Sequence, residues 1–288
     1  MDPKKTGTLA ILGASLMWAL EPIFAKLAYE NSDFLQTSAI RAIGVVVVAI
    51  LYVILRDRGN IKITRKQFSK LVYVALVGTI IGDLVYFYAL TRIPVLNAVL
   101  IAHMQPIFIV LIGYFFLKED NLTKYDYVGI VTMIIAGVLV TTQTLENLSV
   151  VKLGTAGDVY VLIATVAWAT TTIVVRKYLR DLDAGVVTFY RYLVASAVFV
   201  VYLSLRSSLV LSNIYQILVG VIVGAGTILY YEGLKRIKAA QVCALELFTP
   251  FFAALFGFFI LKESVTVMQI TGIALLFVGV WLLSKKEE

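Results

Sequence analysis

Cysteine and histidine are almost missing from this sequence: its 288 residues contain one of each, Cys243 and His103. A single cysteine excludes an intramolecular disulfide framework. One cysteine and one histidine also fall short of the usual zinc site, which takes several such ligands. No Walker or EF-hand motif is present, so ATP-driven pumping by this chain is not expected. No Ser/His/Asp set occurs either, so the expectation is no enzyme, no metal and no cofactor. Charge is scarce as well. Asp, Glu, Lys and Arg make up 15% of the residues, against about 25% in soluble domains. Intrinsic disorder needs the opposite balance, high charge with low hydrophobicity. What the sequence has is apolar residues, 60% of the total, with a mean hydropathy of +0.92. A soluble fold of this size could not hide so much apolar surface. The reading left is an all-α polytopic membrane protein.

A membrane-crossing helix needs roughly 20 apolar residues, so with short loops the chain has room for about ten. The hydrophobic runs fall at Thr6–Ala28, Phe34–Leu55, Phe68–Leu90, Val95–Leu117, Tyr125–Gln143, Gly154–Val175, Ala184–Leu205, Ser212–Leu234, Ala239–Leu261 and Val265–Leu283. The first follows Lys4 and Lys5 but is too long for a signal peptide and contains Glu21, so it is expected to be retained. With the N-terminus inside, eighteen of the 25 Lys and Arg fall on the inner side and five on the outer, while Arg41 and Arg191 lie within spans. The positive-inside rule then predicts a multi-pass protein of the cell membrane with both termini cytoplasmic. The net charge of +7 is thereby explained by topology, and no nucleic-acid partner is expected.

Self-comparison reveals a repeat. At an offset of 150, Trp18 falls on Trp168, Lys26 on Arg176, Asp33 on Asp183, Arg41 on Arg191 and Arg56 on Arg206. At 144, Tyr86 falls on Tyr230, Arg92 on Arg236, Pro106 on Pro250, and Leu117-Lys118-Glu119 on Leu261-Lys262-Glu263. Residues 1–145 and 146–288 therefore form two blocks of five spans. Because five is odd, the second block enters from the opposite side, which predicts inverted-topology repeats with a site near the midplane, as in secondary transporters.

The segments Pro106–Gly137 and Pro250–Gly279 each read as Pro, an apolar run, Leu-Lys-Glu, a polar stretch and a Gly-rich helix. The openings Gly13–Trp18 and Ala164–Trp168, each followed by an arginine early in the next helix, complete an ordered set that occurs twice. This set resembles the drug/metabolite transporter superfamily, in its ten-helix EamA-type branch. The resemblance implies a secondary carrier, often an exporter of amino acids or related metabolites. One position departs from the family pattern: Glu21 stands where a small polar residue is common.

Ionisable groups at bilayer depth face a cavity or a partner. Depth at ~1.5 Å per residue puts Arg191 and Glu246 level, each seven residues into its span, and predicts a pair. Glu21 and Asp83 share the depth of Arg41, so either is its expected counter-ion. The two arginines can serve as structural ion pairs or as substrate contacts. Glu21 precedes Pro22, which can kink the helix and expose carbonyls. A carboxyl out of water can exchange protons near neutral pH, which makes Glu21 a proton-coupling candidate, with Asp83 and Glu246 as competitors. His103 and Gln105 before Pro106, and Glu246 and Thr249 before Pro250, bring polar groups to corresponding stretches of two helices and point to the binding site. Trp18, Tyr86, Tyr88, Tyr230 and Tyr231 are aromatic walls or interface anchors. Glu232 is expected to reach the interface beside Lys235 and Arg236. Asp33 and Asp183 read as N-caps, and Glu119 and Glu263 as contacts to helix ends. Gly78/Gly82 and Gly220/Gly224 are close-packing pairs. The functional expectation is a secondary active transporter of a small metabolite, an amino-acid exporter or similar, with proton coupling as an option. An uptake carrier or a non-transporting lipid-handling or structural membrane protein is the alternative. The expected partners are a small-molecule substrate, the lipid bilayer and protons.

Overall fold

Capping residues set where the helices begin. Thr64 with Gln67, Thr123 with Asp126, Thr155 with Asp158 and Asn213 with Gln216 each form a reciprocal capping box, satisfying first-turn N–H groups that would otherwise be orphaned. Asp33 accepts from the N–H groups of Leu35 and Gln36, both at 2.8 Å, and Asp183 accepts from Gly185 N–H at 2.8 Å, so both are N-caps, as the sequence predicts. The computed structural model describes residues 3–57, 60–117, 123–149, 154–206, 208–237, 242 and 245–284, and these contain no strand. The described helices are α1 (Pro3–Ala28), α2 (Phe34–Asp57), α3 (Arg65–Leu90), α4 (Val95–Phe115), α5 (Lys124–Thr142), α6 (Ala156–Tyr178), α7 (Ala184–Leu205), α8 (Ile214–Arg236), α9 (Phe248–Leu261) and α10 (Val267–Ser284), with one further turn at Leu145–Ser149. Helices α1 to α8 are each long and apolar enough to cross a membrane, while α9 and α10 are apolar but shorter. The sequence starts the ninth span at Ala239; the described helix begins at Phe248. Lys118, Glu119 and Cys243 lie outside the described residues.

Large apolar side chains face outward around the bundle, among them Leu51, Val131, Ile163, Val201, Val221, Phe258 and Ile270. A perimeter this greasy exceeds what a soluble monomer exposes and is what lipid tails cover. Polar contacts gather at two opposite ends. At one, Arg56 of α2 meets Asp183 and Glu232, Lys70 lies over Tyr178, and the start of α1 at Gly7 abuts Arg236 and Ile237. At the other, Asn213 donates to Ala28 O at 2.9 Å, and Glu263 holds both Lys26 and the first N–H of α4 at Val95. Glu263 thus contacts a helix end, as expected.

Packing inside the bundle comes in pairs. Helix α1 packs along α8 and α3 along α6; α2 lies against α7, and α5 against α10. Glycine makes two of the crossings possible. A Cβ on Gly44 or on Gly220 would sit 3.0 Å from the other's Cα, and one on Gly129 or Gly279 would sit 3.0 or 3.1 Å from the other's carbonyl oxygen. Small residues of this kind let helices approach in lipid. Gly78 and Gly82 lie against α6 and α7, and Gly220 and Gly224 against α2, in line with the close-packing reading. Two helices are irregular. The middle of α3, Val74–Asp83, winds in wide π turns. Helix α4 is interrupted at His103–Met104 and restarts at Gln105-Pro106. Helix α1, by contrast, runs unbroken through Pro22; the proline removes the N–H that Trp18 O would otherwise receive.

Candidate functional site

The π stretch of α3 turns Asp83 into the centre of the bundle, where groups from five other helices converge. Arg41 of α2 donates to Asp83 Oδ2 at 3.1 Å and to Glu21 Oε1 of α1 at 3.2 Å. Arg191 of α7 donates to Asp83 Oδ1 at 3.2 Å. The Trp168 indole of α6 donates to the same oxygen at 2.8 Å and to Gly78 O at 3.1 Å, and the Tyr192 hydroxyl reaches Asp83 Oδ2 at 3.2 Å. Arg191 also donates to Thr79 Oγ1 at 2.9 Å and to the Tyr231 hydroxyl at 3.3 Å. The Arg41 guanidinium lies 4.3 Å from the Phe87 ring centre. Two arginines and two carboxylates balance, so the cluster is electroneutral with its usual charges. One donor remains: Arg41 Nε is buried and has no partner among the described residues.

Aromatic rings flank the cluster in two matching pairs. Trp18 packs on Tyr230 with ring centres 4.9 Å apart, and Trp168 packs on Tyr86 at 5.2 Å. Each pair joins a tryptophan from one sequence block to a tyrosine from the other. A glycine seats each tryptophan. A Cβ at Gly82 would lie 2.7 Å from Trp168 Nε1, and one at Gly226 would lie 3.2 Å from Trp18 Nε1. Tyr86 and Tyr230 are buried, so both serve as walls rather than interface anchors.

A second polar region surrounds the α4 interruption. His103 Nδ1 is 2.7 Å from Val99 O, and the ring also lies against the backbone of Glu246. Gln105 donates to Thr172 Oγ1 at 2.9 Å. Ser15 donates to Leu245 O at 3.2 Å, which fixes the segment before α9 against α1. Thr249 Oγ1 is buried and unpartnered among the described residues.

The predicted Arg191–Glu246 pair is not formed. Equal depth puts two groups on one level but does not set which way each faces; α9 packs on α1 and α4, so Glu246 lies by His103, and Arg191 turns to Asp83. The choice between Glu21 and Asp83 resolves as both. Glu232 lies at the polar end of the bundle beside Arg236, as expected, but it is packed in rather than open: it is 7% exposed and held by Arg56 at 2.8 Å and by Arg236. Sequence reasoning missed Thr79, Phe87 and Tyr192, and missed Trp168 as an Asp83 donor. The spacing of Trp168 to Trp18 was the one available signal. Outside the spans, burial holds the Tyr29 phenol well above its ordinary pKa, so it stays protonated and donates to Phe87 O at 3.0 Å.

A bundle of apolar helices with a buried polar centre and a lipid-type perimeter defines a polytopic membrane protein. The family model described as the EamA-like transporter family matches residues 5–142 and again 155–285, and the chain belongs to that family. It is similar to an uncharacterized transporter of Methanothermobacter thermautotrophicus, 29% identical over 79% of this chain and 68% of that protein. An uncharacterized transporter of Archaeoglobus fulgidus is 25% identical over 96% of each. The RarD protein of Salmonella typhi is 29% identical over 54% of each. A solved crystal structure superposes with a TM-score of 0.71, covering 97% of both chains at 19% identity, which shows a shared fold. The chain is a membrane transporter and not an enzyme.

Proposed function

We propose that the protein is a secondary active exporter of small zwitterionic metabolites of the amino-acid kind, working by alternating access and exchanging protons through Glu21. In this reading all ten helices cross the cell membrane, both termini are cytoplasmic, and residues 1–145 and 146–288 are inverted repeats about an axis in the membrane plane. Support comes from the paired packing: exchanging α1 with α6 and α3 with α8 turns the α1–α8 contact into the α6–α3 contact, and leaves the α2–α7 and α5–α10 contacts on themselves.

The observation that carries the substrate class is the neutral cluster of Glu21, Arg41, Asp83 and Arg191, with one free donor on Arg41. A zwitterion can enter such a site without leaving net charge in the membrane. Its carboxylate takes the guanidinium of Arg41, and its ammonium takes the carboxylate of Glu21 that Arg41 releases. The two tryptophan–tyrosine pairs wall the apolar side chain. Glu21 suits proton exchange because it has a single ion-pair partner, whereas Asp83 is held by four side chains. Rocking of one repeat against the other then opens the site to alternate sides.

Proteoliposomes containing the purified protein test this with a panel of amino acids and organic cations, with and without a pH gradient. Movement of a neutral amino acid, accelerated by the gradient in the wild type and indifferent to it in Glu21→Gln, is expected. An unchanged gradient effect in that variant removes Glu21 as the proton carrier. If no amino acid moves, the substrate class is wrong.

A further inference from the structure

Two cavities occupy equivalent places at opposite ends of the bundle, and their charge differs. The first, about 290 Å³, is lined by the ends of α6 and α8 and the start of α7. The second, about 450 Å³, is lined by the ends of α1 and α3 and the start of α2. Their linings correspond along the repeat: Lys26 with Arg176, Phe34 with Ala184, Leu90 with Leu234 and Thr91 with Lys235. The second cavity is lined by one cation, Lys26, and one carboxylate, Asp33, and Glu263 also holds Lys26 at 2.8 Å, so it carries no surplus of positive charge. The first has Arg176, Arg180, Lys235 and Arg236 and no carboxylate among the described lining residues; Glu232, outside the lining, holds Arg236, which still leaves the cations in excess.

We propose that this first cavity is an oxyanion site, taking a phosphate or carboxylate group borne either by a free solute or by a lipid headgroup. Topology alone puts cations at the ends of helices, but it does not gather four of them round one concavity. Lys235 uses one donor on Leu182 O, and Arg236 is engaged by Glu232. An ammonium has three donors and a guanidinium five, so both keep N–H groups for an incoming oxygen. Bidentate arginine contacts suit phosphate and carboxylate alike. The lining also includes Tyr231, whose hydroxyl accepts from Arg191, so this residue joins the cavity wall to the central cluster. The site does not depend on the transport reading.

Equilibrium binding of radiolabelled inorganic phosphate to the full chain in phosphatidylcholine nanodiscs tests it. Saturable binding that weakens with salt is expected, about tenfold weaker in Arg180→Gln, restored in Arg180→Lys, and unchanged in Arg206→Gln, which removes a cation elsewhere. Discs containing phosphatidylglycerol separate the two sources: displacement of phosphate there identifies a headgroup occupant, and its persistence identifies a solute. Absence of saturable binding in phosphatidylcholine discs, or equal losses in Arg180→Gln and Arg206→Gln, overturns the proposal.

Discussion

Asp83 carries more of this molecule than any other charged residue. Among the described residues it is the one carboxylate that both central arginines, the buried Arg41 and the part-buried Arg191, share, and it also accepts from Trp168 and Tyr192. Burying an ion pair is costly, and removing one partner leaves the other charge uncompensated at about 3–5 kcal/mol. Asp83→Asn, nearly the same size, strips Arg191 of its carboxylate and leaves Arg41 with Glu21 alone. A loss of stability in that range is expected, read as a lowered thermal midpoint in one detergent. Arg191→Gln should cost less, because Asp83 keeps Arg41 and two neutral donors. If the two variants are equally stable, Asp83 is not the hub. Part of this was legible in the sequence: two arginines at bilayer depth demand carboxylates, and only a few were on offer. The sharing of one carboxylate was not. It depends on the wide turns of Val74–Asp83, which absorb more residues per turn than an α-helix and change the face on which Asp83 emerges. No residue in that stretch announces such winding.

Among the elements, the α5–α10 crossing is a close backbone contact that a single substitution can open. A Cβ on Gly279 would fall 2.3 Å from Met133 Cγ, and one on Gly129 would meet the backbone oxygen of Gly279. The methionine can move; the backbone cannot without parting the helices. Gly129→Val is therefore expected to destabilise by about 1–3 kcal/mol, more than Gly129→Ala, while leaving the central cluster in place. Thermal unfolding orders the series, and no difference between alanine and valine would mean the crossing is loose. Helix C-termini give a smaller effect of opposite sign. Lys262 ends α9 with φ 58°, a left-handed position where glycine is the usual choice. Lys262→Gly is expected to raise stability slightly, by up to about 1 kcal/mol, read as a higher thermal midpoint. Elements of this kind were the most readable part of the sequence. The apolar runs and the aspartate N-caps place the helices to within a few residues, apart from the ninth, whose described helix begins at Phe248 rather than Ala239; the capping boxes at Thr64, Thr123, Thr155 and Asn213 went unread. The kink expected at Pro22 is absent, and the interruption that does occur lies before Pro106, where the sequence reading gave one continuous span, so proline alone did not tell a break from a continuous helix.

At the scale of the whole molecule the distribution of cations predicts which end of the bundle faces the cytoplasm. The end holding Arg56, Arg176, Arg180, Lys235 and Arg236 is far richer in cations than the end holding Lys26 and Glu263. Loop arginines and lysines stay on the cytoplasmic side, so the first end should lie inside. Thr91 and Lys177 are exposed at opposite ends. In a Cys243→Ser background, Thr91→Cys is expected to react with a membrane-impermeant maleimide added to intact cells, and Lys177→Cys only after the membrane is opened. The reverse pattern would turn the molecule over and convert the proposed exporter geometry into one that loads its cationic cavity from outside. Labelling of both from one side would contradict the alternating passage of the helices, and with it the relation between the two cavities, because a chain that crosses once between Val95 and Phe115 and again between Lys124 and Thr142 must leave Thr91 and Lys177 on opposite sides after the further crossing of α6.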